Sequence, residues 1–127
     1  MAVIRMSIFP SARDRLLLAF AELASYGIYA RPAVEGSPAQ ARERVSAEAA
    51  RRTAFAPNDY VFWCRNDEPV AFDMTGALIG PLPLHFGNRS LAAAIEQALS
   101  DAGFSDLPPA DNGELEPTGY PFSFSSG

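Results

Sequence analysis

The chain is predicted to be α+β, with a mainly antiparallel sheet of about four to six strands and two or three helices packed on one face. Two segments carry a helical apolar period: Leu16, Leu17, Phe20, Leu23 and Ala24 in one, and Leu91, Ile95, Ala98, Leu99 and Ala102 in the other. Tyr60–Cys64, by contrast, is apolar at every position, as a central strand covered on both sides requires. The acidic run Arg65-Asn66-Asp67-Glu68 reads as a turn, and Val70, Phe72 and Met74 then alternate with Ala71 and Asp73 as the return strand of a hairpin.

At 127 residues the chain has the length of one domain, large enough to bury a core without a metal or disulfide. The organisation expected is a single α+β domain over 1–127, with 105–127 an acidic and aromatic tail or an edge strand. A hydrophobic fraction of 48% with 20% charged residues lies far from the composition of disordered chains. Residues 1–9 read as a first strand or an ordered arm that Pro10 ends. Ser11, three residues before Asp14, caps the first helix, which runs to about Tyr26 and stops at Gly27. Residues 27–31 read as a strand closed by Pro32. A second helix follows over about 39–52, with Val45 its one large apolar side chain among alanines and charges. It is expected to bury little and to lie at the periphery.

Beyond the hairpin, residues 78–86 read as one or two short strands broken at Gly80-Pro81, with Leu82, Leu84 and Phe86 on one side and His85 on the other. Asn88 or Ser90 caps the third helix, and Gly103 ends it. The composition then shifts, with five acids from Asp101 to Glu116 followed by Tyr120, Phe122 and Phe124 at a period of two.

The net charge of −5 is unevenly placed. Through Phe55 eight arginines face five acids, giving +3; from Ala56 onward two arginines face ten acids, giving −8. That balance argues against a nucleic-acid partner and for electrostatic attraction to a basic one. No segment approaches the ~18 apolar residues of a membrane span, and no cleavable leader is evident, so a cytoplasmic protein without a membrane partner is expected.

Chemistry is sparse. With no lysine in the chain, a Walker-type phosphate loop is excluded. One cysteine, Cys64, and one histidine, His85, leave no cluster at metal-ligand spacing, so neither a metal nor a cofactor is expected. A nucleophilic site could be assembled only from Cys64, His85 and Asp73, and alternation along the strands puts Asp73 and His85 on a shared face. Arg42, Arg44, Arg51 and Arg52 on the second helix form either a grip for an acidic group or a solvated face. Cys64 and Trp63 are expected to be structural.

The segments AFAELASYGIYAR, YVFW, LPLHFGN and AAIEQALSDAGF, in that order, resemble a family of small bacterial domains of unknown function. The resemblance covers about 16–104 and rests on the helix ending in Gly-Ile, the aromatic strand and the helix ending in Ala-Gly. The Cys-rich segment of such domains is replaced here by residues 33–39. The resemblance implies a bacterial origin and a fold type, and no activity.

The functional expectation is therefore a non-enzymatic protein-binding domain, of the immunity or antitoxin-like kind that masks a basic bacterial toxin. Its partner surface is placed at Asp106, Asp111, Glu114, Glu116, Tyr120, Phe122 and Phe124. The alternative is a small enzyme or ligand-binding domain using His85, Asp73 and Cys64.

Overall fold

The computed structural model describes residues 11–52, 56 and 58–104, together with the backbone of 122–126. The arm or strand expected over 1–9 and the acidic segment from 105 to 121 lie outside the described residues.

Helix α1 (Ala12–Ser25) begins where Ser11 Oγ accepts from the Asp14 amide at 3.1 Å. It ends in a Schellman turn: Gly27, at φ 85°, donates to Ala24, and Ile28 reaches back to the Leu23 carbonyl. Only a residue without Cβ takes that backbone angle freely, so the Gly27 of the sequence sets the length of the helix. Strand β1 (Tyr29–Val34) follows at once. Pro32 does not close it; the strand runs on to Val34 through a register shift, with Ala33 at φ 52°. Such a bulge, and a proline beside it, are tolerated where the strand is the edge of the sheet.

Helix α2 (Pro38–Arg51) opens with a complete capping box, in which Ser37 Oγ accepts from the Gln40 amide and Gln40 Oε1 from the Ser37 amide. Strand β2 (Tyr60–Cys64) is buried at all five positions, as its composition demands. The expected hairpin after it is not formed. Arg65–Asp67 is a 3-10 turn and Glu68–Ala71 a single helical turn, α3, started by Pro69 in its first turn. Of the return strand only the bridge between Phe72 and Leu78 remains. Strand β3 (Leu82–Phe86) then enters the sheet, and helix α4 (Ala92–Asp101), preceded by the 3-10 turn Arg89–Leu91, ends in a second Schellman turn at Gly103. Strand β4 (Phe122–Ser126) lies beside β3.

The fold is α+β, but the expected sheet is corrected in two respects. It is mixed rather than mainly antiparallel: within 11–104 it has the strands β1, β2 and β3, with β1 parallel to β2, β2 antiparallel to β3, and β4 parallel to β3. The reason is the connection. A parallel pair needs a crossover of a dozen or more residues, which α2 supplies between β1 and β2. The helices, moreover, cover both faces instead of one. On the first face α1 and α4 pack Leu16, Phe20, Leu23, Ile95 and Leu99 against Val61, Trp63, Leu82, Leu84 and Phe86. On the second, α2 packs Ala41, Val45 and Ala49 against Val34, Tyr60, Phe62 and Cys64. The helix expected at the periphery thus closes its own core: alanines at i and i+8 around Val45 let it approach the sheet closely, so one large side chain suffices.

Two polar contacts fix these layers. Trp63, wholly buried, donates its indole N–H to Glu68 Oε2 at 2.7 Å, and Arg13 Nη2 reaches the same oxygen at 3.2 Å. Arg15 lies over the Phe104 ring at 4.5 Å and donates to the Ala102 carbonyl, tying α1 to the end of α4. At Gly87, a Cβ would overlap the Asn58 carbonyl and the Tyr60 ring. Gly87→Ala is expected to cost about 1–3 kcal/mol of unfolding free energy through this overpacking, measurable as a lowered urea midpoint with unchanged slope.

Candidate functional site

Along β2 the side chains of Tyr60, Phe62 and Cys64 point into the α2 face, and β3 adds His85 to it. In the antiparallel register Phe62 stands opposite His85, and their rings stack at 5.0 Å and 26°. Cys64, two residues on, ends the strand, and the 3-10 turn that replaces the expected hairpin brings Asp67 back over it. One donor atom each of Cys64, Asp67 and His85 lies within 4.8 Å of the others. Cys64 is 1% and His85 8% exposed, and Asp67 is half-buried.

Arg42 of α2 roofs this row. Its Nη1 donates to Tyr60 Oη at 3.0 Å and to the Phe86 carbonyl at 3.1 Å, and its guanidinium lies 5.9 and 5.8 Å over the Tyr60 and Phe62 rings. It is therefore engaged in packing, unlike a solvated cation. Burial pushes the Cys64 thiol above its ordinary value, with the Asp67 carboxylate adding to the rise and Arg42 opposing it. Burial likewise raises the Asp67 carboxyl. Burial first and Arg42 second bring His85 down to about 4. At neutral pH the pair is thus a thiol beside a neutral imidazole, the opposite of the thiolate and imidazolium of an activated nucleophile. What the arrangement offers is a set of lone-pair donors, and His85 Nε2 is buried without a hydrogen-bond partner among the described residues.

Of the residues expected to form a nucleophilic site, the structure joins Cys64 and His85 and leaves out Asp73. Asp73 is on no strand. Its carboxylate closes the turn at 73–77, accepting from Thr75 N at 2.8 Å, Thr75 Oγ1 at 2.6 Å and Ala77 N at 3.1 Å. These bonds hold its pKa below the usual carboxylate range. Asp67 joins Cys64 and His85 to make a group of three possible ligand side chains, which one cysteine and one histidine in the sequence did not suggest. Sequence spacing could not show this, but the helix-starting Glu68-Pro69 pair after the strand was a signal that the chain turns back at Asp67.

The arginines of α2 do not act together. Arg42 points inward, and Arg44 donates to the Glu35 carbonyl at 2.8 Å. Arg51 and Arg52 line an open groove with Tyr29, Arg31 and Glu48. There Glu48 Oε1 accepts from Tyr29 Oη at 2.7 Å and Arg31 Nε at 3.2 Å, and Arg52 lies 5.0 Å over the Tyr29 ring. A carboxylate in the middle of this groove opposes a grip on phosphate. Of the expected partner surface, Asp106, Asp111, Glu114, Glu116 and Tyr120 lie outside the described residues, while Phe122 and Phe124 occupy β4 in register with Leu82 and Leu84.

The depressed His85 value has a defined consequence for stability. Between about 4 and the ordinary 6.5 the unfolded chain binds the proton and the folded chain does not, so stability rises with pH across that window. The contribution is complete above pH 6.5, is lost as pH falls toward 4, and is on the order of 3 kcal/mol. Denaturation in chelator-containing buffer is expected to show this slope in the native protein and a flatter one in His85→Gln. No family model, curated protein or solved structure matches the chain.

Proposed function

We propose that the chain is a non-enzymatic protein-binding domain, and that its partner is a basic protein, in the manner of an immunity or antitoxin-like inhibitor masking a bacterial toxin. The observation that carries this reading is a set of exposed apolar side chains on α3 and on the segment between it and β3. Val70, Met74 and Ile79 are 63%, 103% and 62% exposed there. The backbone brings the ends of this segment together, with Ile79 N donating to the Ala71 carbonyl at 2.7 Å and Gly80 lying against the Val70 carbonyl and side chain. Met74 lies in the turn that the Asp73 carboxylate closes.

Covering such side chains is worth roughly 1.5–3 kcal/mol each, so exposed apolar side chains on one short segment suit a contact site. The patch belongs to the half of the chain that carries the net −8. Charge complementarity therefore favours a basic partner with an apolar spot of its own, and the acids Asp106, Asp111, Glu114 and Glu116 would speed the encounter. The alternative of an enzyme using Cys64, His85 and Asp73 loses support from the separation of Asp73 and the neutral state of the pair. The described helices include none long and apolar enough to cross a membrane.

A photo-crosslinking residue at position 74, introduced in the native host, should capture the partner for identification by mass spectrometry. With that protein purified, Met74→Asp and Ile79→Asp are each expected to weaken binding by about tenfold or more, since each leaves a desolvated charge in the interface. Neutralising Asp106, Asp111, Glu114 and Glu116 together should slow association and flatten its salt dependence while barely changing the melting temperature. Unchanged affinity in both apolar-patch variants would remove this surface from the interface. An acidic captured partner would remove the charge argument.

A further inference from the structure

We infer that Cys64, Asp67 and His85 form a binding site for a divalent transition-metal ion of the zinc class. This inference is independent of the protein-binding role. The three side chains come from the end of β2, the 3-10 turn after it and the next-to-last position of β3, and their donor atoms lie within 4.8 Å of one another. A second, separate observation points the same way: His85 is more than nine-tenths buried, yet its Nε2 has no hydrogen-bond partner among the described residues. An unpaired buried nitrogen costs about 1–3 kcal/mol, so a ligand that takes its lone pair relieves a standing penalty.

The donor set selects the ion. A thiolate, an imidazole and a carboxylate together are of borderline softness; calcium and magnesium prefer oxygen alone, and copper(I) favours sulfur-rich sites. Zinc bonds of about 2.0–2.3 Å place tetrahedral neighbours about 3.3–3.5 Å apart, so the donors must close by somewhat over 1 Å from their widest separation. Asp67 can supply that movement. It is half-buried, and no hydrogen-bond donor among the described residues fixes its carboxylate. His85, by contrast, is held in place by its stacking on Phe62.

Charge balances as well. On binding, the Cys64 thiol releases its proton to solvent, and thiolate plus carboxylate then neutralise the two positive charges of the ion. Arg42 remains nearby as a cation, but its hydrogen bonds to Tyr60 and Phe86 hold it on the other partners of this row. With three protein donors, a fourth tetrahedral position is left for water or for a side chain of a bound molecule.

Cobalt(II) chloride is the probe, because cobalt takes zinc's geometry and reports its ligands by absorption. Added to the metal-stripped full chain, it is expected to bind one equivalent with a thiolate-to-cobalt charge-transfer band and visible bands of tetrahedral intensity, all displaced by one equivalent of zinc. Cys64→Ser should lose the charge-transfer band. Asp67→Asn, at a half-exposed position where folding is retained, should keep the band but weaken binding at least about tenfold in competition with a chelator of known affinity, as should His85→Gln. Circular dichroism checks each fold. Absence of the charge-transfer band in the folded native chain overturns the proposal, and so does native affinity in Asp67→Asn.

Discussion

The five residues of β2 are all 3% exposed or less, and a strand so apolar on both sides cannot have water on either. Most of the architecture follows from that demand. Val61 and Trp63 require a cover on one face, which α1 and α4 supply with leucine, isoleucine and phenylalanine. Tyr60, Phe62 and Cys64 require another on the opposite face, and among the described residues α2 supplies it, poor in large side chains as it is. Burial of a strand thus recruits a helix whose own composition would hardly order it.

The two faces solve their polar problems differently. On the first, the one buried polar atom of β2, the Trp63 indole nitrogen, reaches sideways to Glu68, a carboxylate already paired with Arg13 of α1. On the second, Arg42 threads between α2 and the sheet, hydrogen-bonded to Tyr60 and Phe86 while its plane covers two aromatic rings. A guanidinium suits this position because it is weakly hydrated and flat, so it can stack and donate at once. The consequence reaches the chemistry: burial in this layer holds Cys64 as a thiol against the pull of Arg42, and burial together with Arg42 holds His85 as a neutral imidazole.

The two surfaces argued to bind other species are separated in kind. The Val70, Met74 and Ile79 patch is an exposed product of the segment that fails to become a hairpin strand. The Cys64, Asp67 and His85 group is buried beneath the start of that same segment. Both exist because Pro69 and its flanking acids start a helical turn directly after β2, lifting the chain out of the sheet plane. Had residues 70–74 paired with β2 as alternation suggests, β3 could not have lain beside β2, and His85 would not face Cys64.

Local signals in the sequence determined helices α1, α2 and α4 and their ends, because caps and stops act within a few residues: Ser11, Gly27 and Gly103 do so here with the bonds expected of them. They also determined that β2 is central and that Cys64 is buried, since a two-sided apolar strand has few other places to go. Alternation correctly placed His85 opposite Leu84 and Phe86. Strand direction was decided by the connection through α2, although a strand, a helix of 14 residues and a second strand in succession was already the pattern of a parallel crossover. Only the tertiary structure decided which helix covers which face, because period alone shows that a side is apolar and not what lies on it. For the same reason it alone brought Asp67 to Cys64 and His85, 18 or more residues away from that histidine in sequence, and left Asp73 in a surface turn. Sequence spacing measures distance along the chain, whereas coordination and catalysis depend on distance through space, which is set by the packing of β2 between its two cores.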